Sequence, residues 1–186
     1  MLQALHNIIQ KVNDAPDMAK ALSDVVVAIS ETLCCDSCSI FICDDDSGEY
    51  VLVAANAYPE ELLGKIKLKY GNGLVGLVAE REEVVNIDNA QSHENYFRHT
   101  KLKESEYSAF LGSPIIDSGD LLGILVVQQE DQRFFSEDEE AFCVTVCVQL
   151  AGKIADAKAR GGLQLPGFKK RAFKGARSVL KGKAGS

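Results

Sequence analysis

Gly71-Asn72-Gly73-Leu74-Val75-Gly76-Leu77-Val78, then Val85-Asn86-Ile87-Asp88-Asn89-Ala90, begin the stretch whose reading decides the fold. It closes with Ala109-Phe110-Leu111-Gly112-Ser113-Pro114-Ile115-Ile116 and Leu121-Leu122-Gly123-Ile124-Leu125-Val126-Val127-Gln128-Gln129. The glycines open a helix whose backbone packs closely, because each omits a side chain. A short strand and a polar turn follow. Two apolar runs then flank a Ser-Gly-Asp turn at 118–120 and read as a hairpin, about 109–116 and 121–129. Between them residues 89–108 form a long polar connection, with Asn95, Tyr96 and Phe97 near its middle. Long connections in compact domains are often binding elements.

The same reading extends outward. Leu2, Leu5, Ile8, Ile9 and Val12 make one helical stripe over residues 2–12. Asp14-Ala15-Pro16 breaks it, since proline lacks a donor and restricts its predecessor. A second helix carries Met18, Leu22, Val25, Ile29 and Leu33. Ser37 to Cys43 alternates as a strand, Asp44-Asp45-Asp46-Ser47-Gly48 turns, and Glu49 to Ala55 returns. Pro59 to Leu63 reads as a helical turn, Ile66 to Leu68 as a brief strand, Leu74 to Glu80 as a short helix and Val84 to Ile87 as a strand. Ser136 and Glu139 make a capping box that opens the last helix, 137–157. Helices flanking consecutive strands predict an α+β domain with an antiparallel sheet.

A chain of 186 residues that is 46% hydrophobic suits one domain with a core. No apolar run approaches the length that spans a bilayer, and the N-terminus is not a secretory segment. A soluble cytoplasmic protein, with no membrane partner, is the expectation. The net charge of −7 is uneven. Nine of the 20 Lys and Arg fall from Lys158 onward, where there is no Asp or Glu. Residues 1–157 therefore hold 11 basic against 27 acidic residues, a net −16. Such a body disfavours nucleic acid, because phosphate contacts need Lys and Arg. Residues 158–186, with Gly161-Gly162 and Pro166-Gly167, read as a basic linker with little core of its own.

Catalytic readings fare poorly. Gly71-x-Gly73-x-x-Gly76 has dinucleotide spacing, but no strong parallel strand precedes it and no acidic ribose partner follows. Cys35-x-x-Cys38 leads into a strand, not a helix start, and Cys143 and Cys147 lie one helical turn apart. These four thiols converge on a metal only if the first strand abuts the last helix, so reduced core residues are expected and no metal. His6, His93 and His99 share no triad spacing, and no Ser or Cys stands in a G-x-S-x-G elbow.

The terminal helices carry more apolar surface than one sheet face requires. The last helix has Phe142, Val146, Leu150 and Ile154 on one stripe and Val144, Val148, Ala151 and Ala155 on another. The alternatives are that helix 2–12 covers the surplus or that a second copy does. A homodimer through Leu2, Leu5, Ile9, Phe142, Val146, Leu150 and Ile154 is the expectation.

In this order and spacing the segments resemble a GAF domain over residues 15–157, with residues 1–14 as a preceding helix. The resemblance implies six or so antiparallel strands flanked by helices, the N- and C-terminal helices packed together, and a small-molecule sensor that regulates an attached enzyme. Ala109–Ile116, Leu121–Gln129 and the opening Met1-Leu2 to Ala15-Pro16 look like the GAF domains that begin nitrogen-branch phosphoenolpyruvate-protein phosphotransferases. That family joins the GAF domain, through a linker, to a histidine-bearing phosphotransfer domain and a phosphoenolpyruvate-binding barrel. The histidines here lie in no Gly-His-x-x-x-His motif, so none inherits the phospho-acceptor role. Mg2+, phosphoenolpyruvate and a phosphocarrier protein belong to the catalytic part.

The resemblance further implies glutamine or 2-oxoglutarate as effectors and no cofactor in this piece. Both effectors carry carboxylates, so donors should converge under the long connection. His93, Arg98 and Ser113 are the candidate side-chain donors, with backbone amides from Asn89 to Ser92. Asp88 or Gln128 takes the amino or amide end, and Tyr96, Phe97 and Phe110 wall the site. The signal is expected to leave through the last helix. Two further GAF outcomes are a relay module whose pocket is filled by Tyr70, Phe97 and Phe110, and a thiol-dependent methionine sulfoxide reductase. The reductases hold catalytic cysteines in the glycine segment and long loop, and residues 71–78 and 86–108 contain none.

Overall fold

The computed structural model describes residues 1–97 and 106–169. The helices are α1 (Leu2–Asp14), α2 (Met18–Leu33), α3 (Gly73–Arg81) and α4 (Glu137–Ala159). The strands are β1 (Ser37–Cys43), β2 (Tyr50–Ala55), β3 (Lys67–Leu68), β4 (Val85–Ile87), β5 (Ala109–Asp117) and β6 (Asp120–Gln129). Short 3-10 turns occupy Glu60–Leu62 and Ala90–Ser92. The α+β expectation holds, with boundaries within two residues of the sequence reading.

The sheet order is β3-β2-β1-β6-β5-β4, and every neighbouring pair is antiparallel. Alternation along each strand divides the core between two faces. Ile40, Ile42, Leu111, Leu125 and Val127 pack with α1, α2 and α4. Phe41, Phe110, Ile124 and Val126 pack with α3 and the segments around it. Central strands covered on both sides must be apolar on both faces, which is why β5 and β6 read as near-continuous apolar runs.

Local chemistry sets the helix ends. Asp17 caps α2 by accepting from the Lys20 amide at 2.8 Å. Ser136 and Glu139 form the expected capping box: the Ser136 amide donates to Glu139 Oε2 at 2.7 Å and the Glu139 amide donates to Ser136 Oγ at 3.3 Å. Arg133 adds a two-pronged contact, its Nη1 and Nη2 each 2.9 Å from a Glu139 carboxylate oxygen, while its guanidinium stacks 4.3 Å above the Phe135 ring. Asn86 of β4 ties this junction to the sheet. Its amide nitrogen donates to the Phe135 carbonyl at 2.8 Å and to Glu140 Oε1, and its oxygen accepts from the Phe135 amide at 3.1 Å.

Two sequence expectations need correction. Phe142, Val146, Leu150 and Ile154 are buried in the chain's own core, beneath α4 and against the sheet and helices, so they are not free to meet a second copy. Leu5 and Ile9 are half-buried. The surface left open by the terminal helices is Leu2, 85% exposed, with Val144 at 39% and Val148 at 61%. The reason is that α4 turns its Phe142 stripe to the core together with Cys143, Cys147 and Ala151. The second correction concerns the expected linker. After α4, Leu163 and Leu165 are buried in the main core and Phe168 packs against it. Residues 170–186 lie outside the described residues.

Arg133 and the Ser136 amide hold the Glu139 carboxyl below its ordinary 4.5. A carboxylate whose folded pKa is depressed stabilises the fold fully above the unfolded value and loses that contribution as pH falls through the folded one. Glu139→Gln should therefore cost about 1–3 kcal/mol at neutral pH. It should also flatten the stability decline below about pH 4.5. Urea unfolding between pH 3 and 7 checks both.

Candidate functional site

The α3 face carries a pocket between the sheet and the helix start. Gln128 of β6 and Phe110 of β5 form its floor, side by side in register. Leu68, Asn72 and the first turn of α3 make one wall, and Ala90, Tyr96 and Phe97 make the other. The glycine segment is what brings these together. A Cβ on Gly76 would strike the backbone of Gly71, so the turn folds flat onto the helix start as the close-packing reading required.

Two polar features converge here. Asn72 stands at the N-cap of α3 without a side-chain capping bond. The amides of Gly73, Leu74 and Val75 have no acceptor among the described residues, leaving the positive end of the helix dipole facing the pocket. Gln128, only 7% exposed, lines the same pocket and makes no side-chain hydrogen bond among the described residues. Its amide is therefore a polar point in an otherwise largely apolar pocket lining. The free space is about 20 Å³, room for roughly one water.

The sequence-named site residues divide. Gln128, Tyr96, Phe97 and Phe110 line the pocket. Asp88 does not: its carboxylate accepts from Gln132 Nε2 at 3.0 Å, and it faces the loop before α4. His93 closes its own turn, Nδ1 accepting from the Asn95 amide at 3.1 Å. Ser113 points to the opposite sheet face, where its carbonyl lies 3.8 Å from Cys147 Sγ under α4. A one-residue count explains this, because Phe110 and Gly112 share the α3 face and Ser113 must take the other. Arg98 lies outside the described residues. Tyr70 is exposed and is not part of the pocket. What the sequence reading missed is the glycine segment itself. The Asn72-Gly73 cap position was its available signal.

The thiols of Cys35, Cys38, Cys143 and Cys147 do approach one another where β1 lies near α4, as a metal site would need. Among the described residues, however, no group of three or more His, Cys, Asp or Glu is arranged to hold an ion. Burial pushes the Cys35 thiol up to about 11 and the Cys147 thiol up to about 12. Cys38 and Cys143 are raised well above the ordinary value, again chiefly by burial. Thiols that resist ionisation are poor nucleophiles.

The sequence profile of the GAF domain family matches residues 17–154. This chain is a GAF domain. It is 51% identical to the GAF domain from a phosphoenolpyruvate-protein phosphotransferase of Coxiella burnetii, with a TM-score of 0.83, covering 86% of this chain and 95% of that one. It is 37% identical to the corresponding Acinetobacter GAF domain, with a TM-score of 0.80, covering 87% of this chain and 96% of that one. An Escherichia coli (strain K12) protein described as phosphoenolpyruvate-dependent phosphotransferase system is 35% identical over 158 residues, which is 85% of this chain. This GAF chain spans about a fifth of that relative's length, 21%. Among the described residues no helix is long and apolar enough to cross a membrane.

Titration of native protein with dithionitrobenzoate should show prompt reaction at Cys34, the exposed thiol, and slower reaction at half-buried Cys43. Cys35, Cys38, Cys143 and Cys147 should react only on unfolding. Rapid labelling of any of these four would revive the thiol-reductase reading.

Proposed function

We propose that this chain is the regulatory, non-catalytic sensing domain of a cytoplasmic phosphoenolpyruvate-protein phosphotransferase of the nitrogen branch. In this reading its bound state sets the phosphoenolpyruvate- and Mg2+-dependent autophosphorylation of the phosphotransfer domains that follow, which pass the phosphoryl group to a phosphocarrier protein. The observation that supports a sensing role is the pairing of Gln128 with the free amides at the start of α3 in one apolar-walled pocket. Amides at a helix N-terminus suit a carboxylate. A glutamine side chain offers both a donor and an acceptor to the far end of a small polar molecule. Glutamine and 2-oxoglutarate each present a carboxylate and a second polar end, so they are the effectors to test first.

The effector must displace side chains to enter, since about 20 Å³ holds neither molecule. Phe97, 49% exposed at the pocket wall, is the side chain with freedom to move. In calorimetric titration of the chain, saturable heat with glutamine or 2-oxoglutarate is expected. Gln128→Leu should weaken it about tenfold or more, because the ligand's polar end loses its partner. A folded protein that gives no heat with either removes the effector assignment. The small free volume favours one second reading, a relay module whose pocket stays filled by Phe97 and Phe110.

Leu2, Val144 and Val148 are exposed apolar residues on the terminal helices, and they support a homodimer that covers them. Light scattering should give twice the chain mass for the wild type and the single-chain mass for Val148→Asp. A wild-type monomer at high concentration would discard the dimer.

A further inference from the structure

The chain that leaves α4 does not run straight into solvent. Residues 163–168 double back, Leu163 and Leu165 enter the main core, and Gly167 meets Gly64 backbone to backbone. Both glycines hold left-handed conformations, φ +80° at Gly64 and +83° at Gly167. Neither has room for a side chain. A Cβ on Gly167 would stand 2.5 Å from the Gly64 carbonyl oxygen and 2.8 Å from its Cα, and a Cβ on Gly64 would strike the Pro166-Gly167 peptide. Lys158 adds a second tie at the start of the return, its Nζ 3.0 Å from the Asp45 carboxylate in the β1–β2 turn.

Gly64 also begins the segment that leads to the pocket wall at Leu68. Its amide donates to the Leu52 carbonyl at 2.7 Å, and the Leu52 amide donates to Ile66 at 3.0 Å. From there the chain forms β3, whose Leu68 lines the pocket, and runs on to Asn72 and Gly73 at the α3 start. A single short segment, 64–75, therefore touches the exit chain at one end and the ligand site at the other. α4, by contrast, is fixed along its length by seven buried side chains, and offers less freedom to shift.

We infer that Gly64 and Gly167 form a latch, through which movement of the pocket wall releases or secures residues 163–168. The inference rests on the pocket being the input, and it replaces the last helix as the principal route. Any group that widens the pocket pushes Leu68 and the Asn72-Gly73 turn. Such a push tilts segment 64–75 and loosens a contact so close that neither glycine has room for a side chain. Coupling of this kind is reciprocal, so loosening the latch must loosen the wall.

Hydrogen exchange on the whole chain tests both directions without any ligand. Gly167→Ala should speed exchange of amides in 163–169 about tenfold, and of those in 66–76 measurably, with the β5–β6 amides unchanged. Leu165→Ala, which removes the anchor and leaves both glycines, should give the same pattern and decides the matter if Gly167→Ala fails to fold. Ala90→Leu, which overfills the pocket from its far wall, should speed exchange in 66–76 and in 163–169. Changes confined to the substituted end in all folded variants overturn the latch. Absence of heat with glutamine and 2-oxoglutarate would count against the effectors alone, because these exchange measurements contain neither.

Discussion

The β5–β6 pair is the constraint on which the remaining structure depends. Nine registered residue pairs join these strands, from Ala109 and Gln129 to Asp117 and Asp120. Both faces of the pair are buried, by α4 on one side and α3 on the other. Each strand must then supply apolar side chains in both directions, and any polar residue placed there must find a partner or a purpose. Gln128 and Ser113 are the two such residues on these strands. They stand on opposite faces, and only Gln128 opens to a pocket.

The two helix entrances differ in how completely they satisfy their polar groups. At the α4 entrance every strong donor and acceptor is engaged: Asn86, Arg133, Ser136 and Glu139 interlock within one turn. That junction fixes the direction of the longest helix. At the α3 entrance the pattern is reversed: Asn72 makes no side-chain capping bond, and Gln128 has no side-chain partner among the described residues. The capping rule is obeyed at the start of α4 and set aside at the start of α3, where the chain has a pocket. Departures of that kind are expected at functional positions.

Much of this was legible in the sequence. The helix-breaking Asp14-Ala15-Pro16, the capping box at Ser136 and Glu139, and the Ser118-Gly119 turn each act over a few residues. Their outcomes follow from backbone chemistry close at hand. The site was half legible. Aromatic residues near the middle of the long connection and Gln128 at the strand end have chemistry that suits a small polar ligand, and they line the pocket. Asp88 and His93 suit that ligand equally well by chemistry. They are engaged instead by Gln132 and Asn95, partners that composition does not reveal. The α4 stripe is ambiguous in the sequence for a related reason. Two apolar stripes on one helix do not say which of them faces inward until the sheet beneath is in place.

The sequence by itself determined the element order, the antiparallel α+β class and the family resemblance, because periodicity, caps and turns are properties of neighbours along the chain. Only the tertiary structure decided which face each strand residue takes, that the glycine turn at 71–76 walls a pocket, and that Leu163 and Leu165 return to the core. Those outcomes depend on contacts between residues far apart in sequence, such as Gly64 with Gly167 and Phe110 with Gln128. Their free energy arises only once the sheet has brought both partners together.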